Sequence, residues 1–232
     1  MTNLVDLSNI LIMEKAIRER VLDSAELLMT RFGFSRVTVG DIAREGCFSR
    51  ASVYLHFRDK TEIGLALIDR LHLRVLNHLE EIAARPGTAI QRLHRMLVGR
   101  VLYAFDAAQG TTLKYEEIFA AIRVKYMIRR EQYFEAEARL FASALRTGVA
   151  NAKITVKDPD LTGLLLVSAT NAFMPFNLSS RQLRNRSEIE ERVTMLSELL
   201  LGGVIRRFPK SVRHPGMSNK PRNPRRTHVD SI

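Results

Sequence analysis

Apolar residues recur at three- and four-residue steps along almost the whole chain, and each run is bounded by residues that start or stop helices. Ile17, Val21, Leu22, Ala25, Leu28 and Phe32 share one helical face. Gly33 follows in the position where a left-handed residue closes a helix. Thr38 with Asp41 reads as a capping box that opens a short second helix, Val39–Glu45. Ser49 opens a third, Ser49–Leu55, because its hydroxyl can accept from the free N–H groups of the first turn. Asp59 and Glu62 open a fourth, Lys60–Ala83, with Ile63, Leu67, Leu71, Val75, Leu79 and Ile82 facing inward and Arg85-Pro86-Gly87 ending it.

The rest of the chain continues in the same period. Ile90, Leu93, Leu97, Leu102 and Phe105 predict a fifth helix that stops before Gly110. Leu113–Ile122 and Tyr126–Thr147 predict a sixth and a seventh, the latter closed by Gly148. Asp158-Pro159 is an N-cap with proline at the first helical position, and an eighth helix follows through Leu161, Leu165, Ala169 and Ala172 until Pro175 kinks or ends it. Ser187 and Glu190 form a last capping box for a ninth helix carrying Val193, Leu196, Leu200 and Val204. No alternating run is long enough to build a sheet, so the fold class is all-α. The pattern divides the chain into an N-terminal arm (1–13), a three-helix head (14–60), a larger helical domain (61–208) and a tail (209–232) rich in proline, asparagine and arginine that reads as disordered.

Composition sharpens this picture in three places. The formal charge is +11, which favours contact with phosphates, although the tail alone sets six basic residues against Asp230. The single cysteine, Cys47, rules out an internal disulfide framework and fits a reducing cytoplasm. No apolar run approaches the ~20 residues that cross a bilayer, and Met1–Met13 lacks the basic and apolar regions of a secretion signal. The expected location is therefore the cytoplasm, in association with the nucleoid and without a membrane partner.

The chemistry lies between Thr38 and His56. Helix Val39–Glu45, turn Gly46-Cys47-Phe48 and helix Ser49–Leu55 have helix-turn-helix dimensions. Ile42 and Ala43 face Val53 and Phe57, and Phe48 plugs the turn. Ser49, Arg50, Ala51, Ser52 and Tyr54 are left to point outward. Small residues let a helix approach base edges closely, and Arg50 can donate two hydrogen bonds to guanine. Thr38, Tyr54, His56 and Lys60 can reach phosphate oxygens at the groove walls, and Arg44 can either do the same or stand as a solvated basic residue.

Residues 20–68 resemble the N-terminal domain of the TetR/AcrR family of bacterial repressors. The resemblance rests on the first-helix pattern, Gly33-Phe34, Thr38-Val39, Asp41-Ile42-Ala43, Ser49, Val53-Tyr54, Phe57 and Lys60. It implies a nine-helix fold, a homodimer, a pseudo-palindromic double-stranded DNA operator, repression, and release by a small-molecule effector held in the C-terminal helices. Thr38, Lys60 and His56 fall at phosphate-contacting positions of the family, and Arg50, Ala51 and Tyr54 at groove-facing ones. The stretch Glu190–Val204 resembles the family's last helix, and by analogy helices eight and nine pair across the dimer. One departure stands out. The family often has Ala-Gly-Val in the turn, whereas Cys47 here occupies the glycine position, at a cost of roughly 1 kcal/mol or more if positive φ is required.

The same resemblance implies a cavity among the C-terminal helices. Tyr103, Phe105, Glu116, Phe119, Tyr126, Phe134, Phe141, Asn171 and Phe173 are the candidates for its lining, although aromatic residues at helical spacing are more often plain core. His72, His78 and His94 lack the spacing of a helical metal site, so no metal or cofactor is expected. Cys47 has no resolving partner, which argues against a redox switch. The chain has no Gly-rich phosphate loop, no G-x-S-x-G elbow and no H-E-x-x-H, so an enzyme is not expected. A dimeric helical adaptor that binds proteins and not DNA is the alternative, but it leaves the outward composition of Ser49–Tyr54 unaccounted for.

Overall fold

A computed structural model describes residues 4–109, 112–151, 154–179 and 181–205. Eight α-helices account for nearly all of it: α1 (Leu4–Phe32), α2 (Val39–Glu45), α3 (Arg50–His56), α4 (Lys60–Ala84), α5 (Ala89–Gln109), α6 (Thr112–Ala150), α7 (Pro159–Thr170) and α8 (Arg186–Ile205). There is no strand among the described residues. Short 3-10 turns at Asn171–Phe173, Pro175–Asn177 and Gln182–Arg184 connect α7 to α8. The segment read as a tail lies outside the described residues.

Three expectations need correction. Of the segment expected to be an arm, residues 4–13 are the first part of α1, because Leu4–Phe32 contains neither glycine nor proline to stop the helix. The sixth and seventh helices are one, the 39-residue α6, since Arg123-Val124-Lys125 between them also offers no breaker. This gives eight α-helices where nine were expected. The cap of the last helix sits two residues earlier than expected. Asn185 Oδ1 accepts from Glu188 N at 3.2 Å, and Asn185 Nδ2 donates to Glu188 Oε2 at 3.0 Å. Asn185 and Glu188 thus do the work assigned to Ser187 and Glu190. The other boundaries have the expected chemistry. Gly33 closes α1 at φ 88°, Thr38 and Asp41 form a reciprocal capping box, and Asp158 accepts from Asp160 N and Leu161 N ahead of Pro159.

Two apolar cores share α4 and α6. The head core joins Val21, Leu22 and Met29 of α1 to Ile42, Val53 and Phe57, and then to Ile63, Ile68 and Leu71 of α4 and Ile122 of α6. The body core takes up Val75, Leu79 and Ile82 further along α4 and packs them on Leu97 and Phe105 of α5, Phe141 of α6, Val167 of α7 and Val193 of α8. Each of these side chains contributes roughly 1.5–3 kcal/mol by leaving water. Gly163 lets α7 lie directly on α6, because a Cβ there would stand 2.6 Å from the Ala138 carbonyl oxygen.

A polar clamp fixes α1 against α4. Arg70 donates to Glu19 Oε2 at 2.8 Å, to Asp23 Oδ1 at 2.7 Å and to Glu26 Oε2 at 3.1 Å. Arg74 makes two further bonds to Glu26, at 2.8 and 3.1 Å. The planar guanidinium suits such multiple engagement, and both helices are thereby held at one angle.

Candidate nucleic-acid interface and the interior behind it

The head presents α3 outward because Val53 and Phe57 are spent on the core. The other α3 positions follow from this anchor. Ser49, Arg50, Ala51, Tyr54 and Leu55 are exposed, while Ser52 and His56 are half-buried. Ser49 caps the helix by accepting from Ser52 N at 2.9 Å, with its hydroxyl 2.8 Å from that of Ser52. Leu55 is 84% exposed beside Tyr54 at 53%. Leu55 was not among the residues expected at the interface. Its signal in the sequence is an apolar residue at a helix position that cannot share the face of Val53. An exposed leucine on such a helix can contact a thymine methyl group.

Arg50 and Gly40 form a pair across α2 and α3. A Cβ at Gly40 would lie 2.5 Å from Arg50 Nη2 and 2.7 Å from its Nε, so the guanidinium rests on the bare backbone of α2. The side chain is therefore parked on the protein, within a flexible reach of any partner beyond α3. Residues 31–60 carry six basic and three acidic side chains, which biases this face toward anions.

The expected phosphate contacts divide into free and engaged groups. Arg44 is well exposed and holds only Asp41 on its own helix, at 3.2 Å. Thr38 Oγ1 accepts from Asp41 N at 3.2 Å and donates to Asp41 Oδ2 at 2.6 Å, so its proton is used within the cap. That hydrogen bond is also the main reason the Asp41 carboxyl titrates below its usual range. Lys60 Nζ donates to Phe34 O at 2.9 Å and Ser35 O at 3.4 Å, over the Phe34 ring. Two of its three hydrogens thus tie the start of α4 to the α1–α2 loop.

The turn carries the strain anticipated for it. Cys47 has φ 58°, the only positive value at a non-glycine residue among those described, and its side chain is exposed. Gly46 stays right-handed, with Phe48 and Ser24 so close that a Cβ would meet the ring at 2.6 Å. Arg20 completes the corner by donating to Gly46 O at 3.2 Å and covering the Phe48 ring.

The residues expected to line a cavity fall into separate environments. Phe105 and Phe141 are fully buried in the body core, with Tyr103, Phe134 and Phe173 packed against it. Tyr103 stacks on His78 at 4.6 Å between centroids. Phe119 and Tyr126 meet edge to face, 5.1 Å apart, and both touch Phe176. Asn171 is buried at the end of α7. Glu116 lies on α6, and its side chain is outside the described residues. Phe119, with His72, Val75, Met174 and Phe176, borders a seam between α4, α5, α6 and the 3-10 turns, whose free volume is only about 10 Å³. That is room for one water molecule at most.

Against this geometry the comparisons agree. Residues 21–67 match the family model described as bacterial regulatory proteins, tetR family. The chain is 36% identical over 55 residues to the HTH-type transcriptional regulator TtgR of Pseudomonas putida, covering 24% of this chain and 26% of that protein. It is 29% identical over 129 residues to the nucleoid occlusion factor SlmA of Colwellia psychrerythraea, covering 56% of this chain and 65% of that one. A TetR/AcrR-family regulator from Thermobifida fusca superposes with TM-score 0.53 at 25% identity, over 82% of this chain and 98% of the other. A TetR-family regulator from Pectobacterium atrosepticum gives TM-score 0.65 at 14% identity, over 84% and 96%. The SmeT–triclosan complex gives 0.54 at 20%, over 87% and 99%. Residues 21–67 thus match the tetR family of bacterial regulatory proteins, and the chain as a whole is similar in fold to regulators of that family.

Two substitutions test the head's local physics. Cys47→Gly should raise the unfolding free energy by ~0.5–1 kcal/mol, because glycine adopts this φ freely and the exposed thiol packs on little. Denaturant titration reads this, and an unchanged or lower midpoint would contradict the strain. Gly40→Ala should leave stability equal or up to ~1 kcal/mol higher, since alanine favours helix and only a side-chain tip must move. The same variant should alter DNA affinity by displacing Arg50, measured by fluorescence anisotropy on a bound duplex.

Proposed function

We propose that the protein is a homodimeric transcriptional regulator, expected to act as a repressor, that binds a pseudo-palindromic operator through α3 and releases it when a small molecule binds the helical body. The observation that carries this reading is the outward face of α3, where Ser49, Arg50, Ala51, Tyr54 and Leu55 surround a single buried anchor, Val53. Arg50 reads bases, and Arg44, His56, Tyr54 and Lys60 hold phosphates. Thr38 acts there chiefly by capping α2. A protein-binding adaptor has no comparable need for small and polar groups on this face.

Dimerisation is supported by apolar residues left in solvent on the last two helices. Leu161 and Leu165 of α7 and Met195 and Leu199 of α8 are all more than half exposed. A second copy placed on them buries both sets symmetrically. The two α3 helices would then enter successive major grooves ~34–36 Å apart or a little more.

Effector control follows from α4, which leaves the head at Lys60 and ends in the body at Ala84 without a break. A ligand that binds better to a body conformation with a different α4 tilt lowers DNA affinity by that difference. The triclosan complex of the structural neighbour SmeT supports a ligand-responsive body in this fold. No helix among the described residues is long and apolar enough to cross a membrane. The relatives named above are regulators or DNA-associated factors, and none suggests an enzyme.

The operator should be recovered by selecting duplexes from a random pool with the full chain. On that duplex, Arg50→Ala should cost ~1–3 kcal/mol and relax the choice at one base pair. Lys60→Ala should weaken all sequences alike and reduce the salt slope by about 1. Wild-type affinity in both variants would remove α3 as the reading helix. Leu199→Glu should shift the protein to monomer in sedimentation and abolish high-affinity operator binding, and a stable dimer would place the interface elsewhere.

A further inference from the structure

The interior between the two cores holds polar atoms that the protein itself leaves unused. His72, Arg100, Tyr126, Glu137 and Asn171 are all more than nine-tenths buried. Arg100 Nε donates to Glu137 Oε2, and its Nη1 donates to Thr170 Oγ1 at 3.1 Å. His72 Nδ1 faces Glu137 Oε1 at 3.5 Å. Beyond these contacts, Arg100 Nη2, Tyr126 OH, Glu137 Oε1, His72 Nδ1 and Asn171 Oδ1 have no hydrogen-bond partner on the protein. A buried polar atom without a partner is costly, and Arg100 Nη2, Tyr126 OH and Asn171 Oδ1 lack even the 3.5 Å pairing that His72 Nδ1 and Glu137 Oε1 give each other.

The cluster's chemistry narrows what can satisfy it. Burial pulls the Glu137 carboxyl upward, but Arg100 and His72 outweigh this and hold it below the usual carboxylate range, so it stays ionised. Arg100 and Glu137 therefore cancel, and an added charge would sit uncompensated in the interior. Among the unused groups, Arg100 Nη2 donates, Glu137 Oε1 and Asn171 Oδ1 accept, and Tyr126 OH and His72 Nδ1 can do either. A matching molecule is uncharged and carries a group that both donates and accepts. The walls are aromatic. His72 stacks on Tyr133 at 3.9 Å, and Phe176 seals the adjoining seam against Phe119 at 5.5 Å and Tyr126 at 5.4 Å.

We propose that this cluster is a recognition site for an uncharged hydroxy-aromatic molecule, whose ring takes the place of Phe176 and whose hydroxyl donates to one of the orphaned acceptors and accepts from one or two of the orphaned donors. The proposal rests on the effector-responsive reading above and names the effector's class. The seam as it stands is too small for such a ring, so binding requires Phe176 to swing out on its short 3-10 turn. Asn171 stands at the root of this segment, its carbonyl oxygen accepting from Asn177 Nδ2 at 2.8 Å. His72 belongs to α4, so occupancy is felt on the helix that carries the head.

The test uses the full chain and four small probes: phenol, toluene, benzoate and benzylammonium. Phe176→Ala should bind phenol at least tenfold more tightly than wild type does in calorimetry, and at least tenfold more tightly than it binds the other three. Added to that variant, Tyr126→Phe or Asn171→Leu should weaken phenol at least tenfold and leave toluene unchanged. In the wild-type chain, Tyr126→Phe should leave the unfolding temperature equal or higher, because it deletes a hydroxyl that bonds nothing on the protein. This readout stands even if Phe176→Ala fails to fold. Equal affinity for toluene and phenol, preference for either ion, or a lower unfolding temperature for Tyr126→Phe would overturn the proposal. Phenol binding with unchanged operator affinity would support the site and sink the effector coupling, and the two failures are thereby distinguished.

Discussion

The structure depends on α4 belonging to two cores at once. Ile63, Ile68 and Leu71 are buried among head residues, and Val75, Leu79 and Ile82 among body residues. A single rigid helix with both ends anchored cannot tilt in one domain without tilting in the other. Arg70 and Arg74 extend this constraint to α1 through Glu19, Asp23 and Glu26. The head is then a rigid extension of α4, and its angle is set by whatever the body packs against the far end.

The junction between the cores is where the fold departs from apolar packing. Residue 72 continues the inward stripe of α4 but is histidine, and it meets Glu137 and Tyr133 from α6. A leucine there would close the two cores into one. The polar junction instead gives α4 a point at which its packing is not saturated. Just outside it, Tyr133 donates to Asp69, which also pairs with Arg129, and burial with that carboxylate pushes the Tyr133 hydroxyl's pKa up. The α4–α6 contact thus changes from apolar to polar over a turn of helix. That is the place where a modest change in contents can alter the relation of head to body.

Much of this was legible in the chain because it is locally encoded. Thr38 with Asp41, Asp158-Pro159 and Gly33 act within a few residues of themselves, and each boundary they mark is present. The six positions of α4 that the 3.6-residue period placed inward are all buried, but so are Gly64, Leu65, Ala66, Ile68 and His72, which that single stripe did not include. The miscounted helices failed for a physical reason. An apolar stripe that drifts around a long helix looks like two helices, and only the absence of glycine and proline between Ile122 and Tyr126 argues otherwise. The outward positions Ser49, Arg50, Ala51 and Tyr54 follow once Val53 is known to be buried, and Leu55 follows from the same anchor, since it cannot share the face of Val53. The meeting of Arg100 and Glu137 was not legible at all. They stand 37 residues apart on different helices, and no local pattern distinguishes them from solvated charges.

The head shows the same economy at smaller scale. A helix-turn-helix needs a tight corner, and the corner here is bought with a left-handed cysteine while Gly46, one residue earlier, stays right-handed. Moving the glycine lets the Phe48 ring close over residue 46, where a Cβ would collide with it, and Arg20 then covers the ring. Gly40 serves in a comparable way by giving Arg50 a flat place to rest. In both cases a missing side chain makes room for a large one further along the chain, and the outward surface of α3 is shaped by those two absences as much as by the residues that face outward. The orientation of α3 is therefore set from beneath, by Val53 and Phe48. Residues at its exposed face remain free to be chosen for a partner and not for the fold.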